Sequence, residues 1–507
     1  MFHRYSPWLG ALATVFLFGM AAVAQDQEPQ PPPGVDVLTR GPVHEAFMTP
    51  VQGEPQPNPI APKAPPDPIQ ELPPDQKPEG NNVQWIPGYW AWDDHTADYI
   101  WISGAWRDVP PGKRWVPGHW NQVQDGWQWV SGFWADAAVE QVHYLPPPPA
   151  NIDNGPSAPA PDPSYIYSPG VWVYQTTGYA WRPGFWIAPR AEWVWIPAHY
   201  VWTPAGVVFV DGYWDFEIRR RGLLFAPVRF EAGIWRQPGF VYRPAWAIAA
   251  DFLLDALFVR PTYGCYYFGD FFAPGYERAG FVPWYDYHVG RFAHDPIYAH
   301  YRWEHREDRE WEQRYKTVYV ERRDGKAPRP PHTFAQQKEY IQRIEKEKVI
   351  PGAKPFAVRD PQQAIKSVSA VTHVTKVPPT TMKMTPIPKE QIPQYHKSAQ
   401  DLHNFSQQRS KAETQFRTEK PPPMHPTDKL PNTQLTLPKI QTPPPLHTPT
   451  TPALQVPMHP TPPPHVQQQF PQYHPPQPIK LSPQPHNPEL EQKKEPPKKE
   501  PPKKPPM

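Results

Sequence analysis

Histidine and methionine side chains recur in a pattern that could bind a metal ion. The run PMHPT at 423–427 returns at 457–461, and thioether and imidazole ligands together favour copper. Both copies lie in a proline-rich stretch that fixes no geometry between them, so we interpret them as part of a solvated tail. Four further histidines lie close in sequence without HExxH or a comparable zinc-binding spacing: His288, His294, His300 and His305. The sequence therefore predicts no metal site and no cofactor.

Catalytic motifs are missing from the sequence. It contains no G-x-S-x-G, phosphate-binding loop, dinucleotide fingerprint or CxxC. Two carboxylates could pair in space for glycoside hydrolysis, but no spacing selects a pair. The single cysteine, Cys265, lies among tyrosines and phenylalanines, where a buried inert thiol is expected rather than a nucleophile. We therefore expect no catalytic residues, with a hydrolase as a remote alternative.

Aromatic side chains offer a third kind of chemistry, because 23 Trp, 24 Tyr and 23 Phe occur in 507 residues. Exposed indoles could stack on the sugar rings of a glycan. Buried indoles could instead fill the core of thin sheets, since each aromatic side chain buries about 150–250 Å². The same spacing recurs throughout, and a binding site rarely needs every strand alike, so the core interpretation is favoured.

The aromatic residues belong to an internal repeat of the form W-x-x-G-x-W, which we call a hexad. Hexads 1–4 begin at positions 85, 101, 115 and 129, and hexads 5–8 begin at 167, 181, 195 and 209. Within each set of four the spacing is 14 residues except for one step of 16, which identifies a true repeat. The predicted structural residues of the repeat are Trp85, Gly88, Trp90, Trp101, Gly104, Trp106, Trp115, Gly118, Trp120, Trp129, Gly132, Trp134, Trp172, Trp181, Gly184, Trp186, Trp195, Gly212 and Trp214.

A 14-residue unit fits one strand of about ten residues and a turn of about four. Short turns make consecutive strands antiparallel, and the glycine inside each hexad is predicted to form a bulge that returns both aromatics to one face. The predicted fold class is therefore mainly β, with antiparallel meanders built from 14-residue Trp/Gly repeats, a small helical segment and long disordered proline-rich tails.

The position between the glycine and the second aromatic varies between polar and apolar residues. We predict that it forms a surface-facing column that contacts a ligand. The members of this predicted column are Tyr89, His119, Phe133, Phe185, His199 and Tyr213.

The hexads at 85–214 resemble the WXXGXW (also written YXWGXW) repeat family of exported bacterial proteins. Segments after the repeats are similar to proteins of this type in planctomycete-like bacteria: RRGLLFAP at 220–227, DFLL at 251–254, YYFGD at 266–270 and GFVPW at 280–284. The resemblance implies a cell-envelope setting and supplies no catalytic residues. Ala198 and Tyr200 depart from the pattern, so that strand is expected to lack the bulge.

Composition divides the chain, because 81 prolines cannot be accommodated in one globular domain unless they are segregated. A basic start, an apolar run and an A-x-A site predict a signal peptide, with an uncleaved anchor as the alternative. The predicted segments are a signal peptide (1–24), a disordered proline-rich leader (25–80), a first four-strand repeat set (81–144), a proline-rich linker (145–164), a second four-strand set (165–216), an aromatic-rich irregular α/β segment (217–294), a helical segment (295–350) and a disordered Pro/Gln/Lys-rich tail (351–507).

Charge and location complete the expected function. A net charge of +2 argues against a nucleic-acid binder, and after signal cleavage no membrane-spanning segment is expected. We expect a periplasmic, cell-envelope or extracellular protein with a structural or protein-interaction role. A glycan-binding module that uses exposed Trp and Tyr is the alternative, so the expected partners are envelope proteins or cell-wall or extracellular polysaccharide.

Overall fold

The N-terminal segment is ordered in the computed structural model, which describes residues 29–80, 82–176, 178–347, 361–419 and 434–437. The predicted signal peptide lies outside these residues. Residues 29–80 are not the predicted disordered leader, because apolar side chains between their prolines, including Val37, Val43 and Phe47, are buried in the main core. Four short strands form here: β1 (Val35–Val37), β2 (Gly41–Pro42), β3 (Ile60–Ala61) and β4 (Gln76–Pro78).

The hexads fold as four β-hairpins, each built from two consecutive hexads. Hairpin 1 contains β5 (Val83–Ile86), β6 (Tyr89–Asp93), β7 (Asp98–Ile102) and β8 (Ala105–Asp108), and hairpin 2 contains β9 (Lys113–Val116), β10 (His119–Val123), β11 (Gly126–Val130) and β12 (Phe133–Asp136). After β13 (Gln141–His143), hairpin 3 contains β14 (Ile166–Ser168), β15 (Val171–Gln175), β16 (Gly178–Arg182) and β17 (Phe185–Ile187). Hairpin 4 contains β18 (Trp193–Ile196), β19 (His199–Thr203), β20 (Gly206–Val210) and β21 (Tyr213–Phe216).

Each hairpin is antiparallel, which confirms the predicted β class, but its pairing differs from a four-stranded meander. In hairpin 1, β6 pairs with β7 and β5 pairs with β8, so that Trp90 lies opposite Trp101 and Trp85 lies opposite Trp106. Within the described residues no ladder joins β8 to β9. Instead β8 pairs with β22 (Gly222–Leu224), and β7 pairs with β23 (Val228–Phe230).

In seven of the eight hexads a glycine lies at the break between two strands, where it makes room for an aromatic ring. A Cβ on Gly104 would lie 2.5 Å from the Trp85 ring, and one on Gly132 would lie 2.4 Å from the Trp115 ring. The glycine is therefore required by close approach of the first aromatic of the paired hexad, a different reason from the predicted bulge.

The segment after the repeats combines short strands and helices. Its remaining elements up to residue 347 are β24 (Trp246–Ile248), α1 (Ala250–Asp255), β25 (Leu257–Arg260), β26 (Cys265–Phe268), α2 (Pro274–Arg278), β27 (Val282–Pro283), β28 (His288–Val289), β29 (Ala293–His294), α3 (Pro296–Glu304), α4 (Trp311–Arg323) and α5 (Phe334–Glu347). The helical segment predicted at 295–350 contains α3, α4 and α5. Asp295 caps α3, accepting from the backbone N–H groups of Ile297 and Tyr298.

Ordered elements of the structure extend into the predicted disordered tail (351–507). Residues 361–419 and 434–437 form α6 (Pro361–Val368), β30 (Val371–His373), β31 (Met384–Pro386), α7 (Ile392–Glu419) and β32 (Gln434–Thr436). β30, β31 and β32 pair with β24, β4 and β13 respectively. Tyr395 and Ala399 of α7 pack in a core cluster with Trp85 and Trp106, so proline content alone misplaced this boundary. The rest of the predicted tail lies outside the described residues.

Candidate binding cleft

A buried glutamate joins the two hexads of hairpin 1. The Glu71 carboxylate accepts from the backbone N–H groups of Gly88 (2.6 Å) and Gly104 (3.0 Å) and from the indole N–H of Trp101 (2.9 Å). Both strand breaks therefore have their amide donors satisfied by a side chain from outside the hairpin. We call such a residue a clasp acid.

Hairpin 2 has a clasp acid of its own, which comes from the N-terminal segment. The Glu45 carboxylate accepts from the backbone N–H of Gly132 (3.1 Å) and the indole N–H of Trp129 (3.2 Å), and Gly118 also donates to it. The same set of donors, two glycine amides and the first indole of the second hexad, is thus used in both hairpins.

Hairpins 3 and 4 show weaker versions of this arrangement. Asp153 accepts from the hydroxyl of Tyr167 (2.8 Å) and the backbone N–H of Gly170 (3.4 Å). In hairpin 4 the indole N–H of Trp195 donates to the Ser168 hydroxyl at 3.0 Å. The clasp is therefore most complete in the first repeat set.

Both glutamate clasp acids titrate near neutrality. Burial raises the pKa of Glu45 and of Glu71 from 4.5 to about 7, against the opposing effect of the hydrogen bonds that each carboxylate accepts. Since the folded-state pKa lies above the unfolded-state value, the folded state holds extra protons between about pH 4.5 and 7. The contribution of each group to stability is therefore full below this window and is lost as the pH rises through it.

We expect Glu71→Gln to change the pH dependence of stability in a defined direction. The neutral amide cannot ionise, so the stability of the variant relative to the wild type is expected to increase by about 2 kcal/mol between pH 5 and pH 8. Urea unfolding at both pH values measures this difference.

The matched control for this experiment is Glu54→Gln at an exposed position. Its stability relative to the wild type is expected to stay constant between the two pH values. A relative stability of Glu71→Gln that falls with pH would mean that the folded state favours the ionised carboxylate.

Two proline-rich segments lie against the hairpins and are held by aromatic donors. Strap 1, residues 63–72, accepts from the Tyr99 hydroxyl at the Lys63 carbonyl (2.7 Å) and from the Trp90 indole N–H at the Asp67 carbonyl (3.0 Å). This strap also supplies the clasp acid Glu71. Aromatic side chains of hairpin 1 thus bind the backbone of an extended proline-rich chain.

Strap 2, residues 146–158, repeats this pattern on hairpin 3. The Tyr179 hydroxyl donates to the Pro146 carbonyl, and the Trp172 indole N–H donates to the Ala150 carbonyl at 3.0 Å. Tyr179 and Trp172 occupy the same hexad-relative positions as the donors to strap 1. The predicted linker 145–164 is therefore an ordered counterpart of strap 1.

The helix α7 contacts hairpin 2 through a buried charged pair. The Arg409 guanidinium donates to the carbonyls of Pro117 and Ser131, both at 2.9 Å, and to Glu413 at 2.7 Å. Pro117 and Ser131 precede the glycines that Glu45 binds. The two strand breaks are therefore held through their amides on one side and through their carbonyls on the other.

A cleft of about 720 Å³ lies between strap 1, hairpins 1 and 2 and α7. Its aromatic and proline lining comes from strap 1 and the hexads: Pro65, Pro66, Pro68, Tyr89, Trp90, Trp101, Trp115, Trp120 and Trp129. Its opposite wall is one face of α7, which we call the polar stripe: His396, Gln400, His403, Gln407 and Lys411. Spacings of three and four residues place these side chains on one side of the helix.

Two imidazoles at the cleft, one buried and one half-buried, have ring nitrogens without a hydrogen-bond partner within the described residues. His119 is 4 % exposed, and neither ring nitrogen is hydrogen-bonded; its Nε2 lies 3.5 Å from the Glu413 carboxylate. Burial lowers the pKa of His119 well below its ordinary value. The Nε2 of His396 is also unsatisfied, so the cleft offers unused polar groups.

The predicted ligand-contacting column does not form a surface. His119 and Phe133 are buried, and Tyr89, His199 and Tyr213 are half-buried. These positions begin the second strand of their hexads, where hairpins and α7 pack; Tyr89, for example, stacks on Trp129 with ring centroids 4.7 Å apart. Only Phe185, at 43 % exposure, has the predicted position at the surface.

The hexad tryptophans differ in burial between the two repeat sets. In the first set six of them are buried in the core: Trp85, Trp90, Trp101, Trp106, Trp115 and Trp134. Trp120 and Trp129 are half-buried, as are the tryptophans of the second set: Trp172, Trp181, Trp186, Trp195 and Trp214. The core interpretation therefore describes the first set, and the second set keeps part of its aromatic surface accessible.

The other candidate groups from the sequence do not converge on a site. His288 and His294 lie together with ring centroids 4.7 Å apart, and no group of three potential metal ligands occurs in the described part of the chain. The Cys265 thiol is half-buried beside the Val43 carbonyl, and burial raises its pKa. The PMHPT runs lie outside the described residues.

Sequence reasoning missed the clasp acids, the straps and α7. One signal was available, because Glu71 and Asp153 each stand 14 residues before the first aromatic of their repeat set. That offset equals the repeat period and marks each strap as part of its set. Glu45 and Arg409 carry no comparable signal, since they lie far from the hexads that they bind.

Comparison with known proteins identifies the repeat. The family model described as WXXGXW repeat (2 copies) matches residues 84–107, 163–186 and 190–214. These ranges cover most of hairpins 1, 3 and 4, so the predicted resemblance to this repeat family is confirmed, whereas the similarity to planctomycete-like proteins stays a prediction. No curated protein and no solved structure matches the chain. In the described residues no helix has both the length and the apolar character needed to cross a bilayer.

Proposed function

We propose that this WXXGXW-repeat protein is an exported, non-catalytic cell-envelope protein that acts as a structural and protein-interaction scaffold. The observation that carries the proposal is the cleft of about 720 Å³. Its walls come from strap 1, hairpins 1 and 2 and α7, and α7 lies far from the other three in sequence. They are fixed by buried hydrogen bonds, so the cleft is formed before a partner arrives, which lowers the entropic cost of binding.

Two features support a partner that binds through packing and hydrogen bonds. The lining combines apolar rings and prolines with amide, imidazole and ammonium groups, the mixture typical of binding sites. The carboxylates at the cleft, Glu45 and Glu71, are already occupied by donors from the hairpins. Their engagement supports a binding role over acid–base chemistry.

A glycan-binding role is the second candidate, and the second repeat set favours it. Its tryptophans are half-buried and Phe185 is 43 % exposed, so ring surface is available for stacking on sugars. This surface lies on hairpins 3 and 4, away from the cleft residues.

We expect the cleft to capture an envelope component. Full-length protein immobilised on beads is incubated with isolated cell-envelope material, and Gln407→Trp, which fills the cleft from the polar stripe, is expected to abolish capture. The matched control is Gln408→Trp, because Gln408 is exposed and does not line the cleft.

Enzymatic treatment of the captured material separates the two candidates. Capture lost after protease treatment supports the protein-interaction role, and capture lost after polysaccharide digestion supports the glycan role. Capture that Gln407→Trp leaves unchanged would refute the cleft as the binding site.

A further inference from the structure

We propose, resting on the proposed function, that the cleft binds a proline-rich segment of a partner protein in an extended polyproline II conformation. Such a segment presents ring-shaped apolar side chains and backbone carbonyls, while its proline nitrogens carry no hydrogen. Aromatic-lined grooves with hydrogen-bond donors recognise such segments in other proteins.

The protein already binds chains of this type within itself. Strap 1 and strap 2 are proline-rich, and each accepts a tyrosine hydroxyl at one carbonyl and an indole N–H at another carbonyl four residues further on. The arrangement recurs at equivalent hexad positions in both sets. It is therefore a property of the hexad hairpin and not of one local sequence.

The polar stripe supplies donors that these internal contacts leave unused. The Gln400 amide donates one hydrogen to Asn404, and the Gln407 amide interacts with His403, which leaves a second N–H on each amide. Lys411 adds an exposed ammonium group. A ligand rich in carbonyl acceptors and poor in donors matches this wall.

The aromatic wall favours proline over sugar. Glycan recognition needs an exposed ring face, but Trp90, Trp101 and Trp115 are buried and pack edge-on or tilted against neighbouring tryptophans at 5.1–5.3 Å. Together with Pro65 and Pro66 of strap 1, these buried side chains form a closely packed apolar part of the cleft lining. Short proline rings can pack into such a surface.

The experiment is a titration of the full-length protein with three probes. Decaproline is the test ligand, a Gly/Ser decapeptide controls for chain length, and the hexasaccharide of N-acetylglucosamine represents a glycan. Calorimetry measures affinity, and tryptophan fluorescence reports the cleft through the half-buried Trp120 and Trp129. We expect decaproline alone to bind.

Paired variants test whether binding uses the polar stripe. The double variant Gln400→Ala/Gln407→Ala removes two donors and is expected to weaken decaproline binding about tenfold. Gln408→Ala, on the same helix and outside the cleft, is expected to leave the affinity unchanged. Both changes are at exposed positions, so folding should be retained, and circular dichroism verifies this.

The outcomes separate this inference from the proposed function. If the hexasaccharide binds and the double variant weakens it while decaproline does not bind, the cleft remains a binding site and the proline-rich ligand is wrong. Decaproline binding that the double variant leaves intact also overturns the inference. If no probe binds and Gln407→Trp captures as much envelope material as the wild type, both proposals are wrong.

Discussion

Arg409→Met is expected to destabilise the docking of α7 by about 3–5 kcal/mol. The substitution removes donors to the Pro117 and Ser131 carbonyls and leaves the fully buried Glu413 without its cation. Breaking one partner of a buried ion pair costs this much, because the remaining charge stays desolvated. Thermal unfolding and hydrogen exchange of the α7 amides measure the loss.

Two further variants make this result specific. Arg309→Met makes the same chemical change at an exposed position and is expected to have an effect within about 0.5 kcal/mol. Arg409→Met/Glu413→Gln removes both charges and is expected to recover part of the lost stability. If the α7 amides of Arg409→Met exchange hydrogen at the wild-type rate, the docking of the helix does not depend on this ion pair.

The packing of α7 also explains why its role could not be predicted from the sequence. The WXXGXW repeat and the antiparallel strands follow from patterns that recur within about 14 residues, and these predictions are confirmed. The role of α7 depends on Arg409 contacting residues 117 and 131, almost 300 positions away. No local periodicity encodes such a contact, so the proline-rich composition around α7 dominated the prediction.

The wrong prediction of a surface-facing, ligand-contacting column has a related cause. Its positions vary between polar and apolar residues, which is typical of a surface when one strand is considered alone. In the folded protein most of these positions pack against other elements, as Tyr89 does on Trp129 of hairpin 2 and His119 does beside Glu413 of α7. The residue type at these positions therefore varies because each position has different neighbours in the folded protein.

The pairing of glycine with a ring also accounts for the departure in hexad 7. That hexad carries Ala198, and the partner hexad in hairpin 4 begins with Phe209 where most hexads have tryptophan. A methyl group thus coincides with a smaller ring. This combination in hairpin 4 suggests a direct test in hairpin 1.

Gly104→Ala is expected to lower the free energy of unfolding by about 3 kcal/mol. The added Cβ would lie 2.5 Å from the Trp85 ring, 2.6 Å from the Ile86 carbonyl oxygen and 2.7 Å from the Glu71 carboxylate. These atoms cannot move freely, since the ring is buried and the carboxylate is held by other donors. Overpacking at such sites costs about 1–3 kcal/mol, in addition to any loss of the hydrogen bonds that Glu71 accepts. Chemical denaturation followed by tryptophan fluorescence measures the change.

Gly275→Ala is the control, because a Cβ there meets its nearest atom at 3.9 Å within α2, and alanine favours a helix over glycine by about 0.5–1 kcal/mol. The double variant Gly104→Ala/Trp85→Phe reproduces the combination found in hairpin 4 and is expected to be more stable than Gly104→Ala alone. If the smaller ring restores nothing, the cost at Gly104 arises from the displaced Glu71 clasp or the Ile86 backbone, and complementarity between ring and glycine does not explain the repeat.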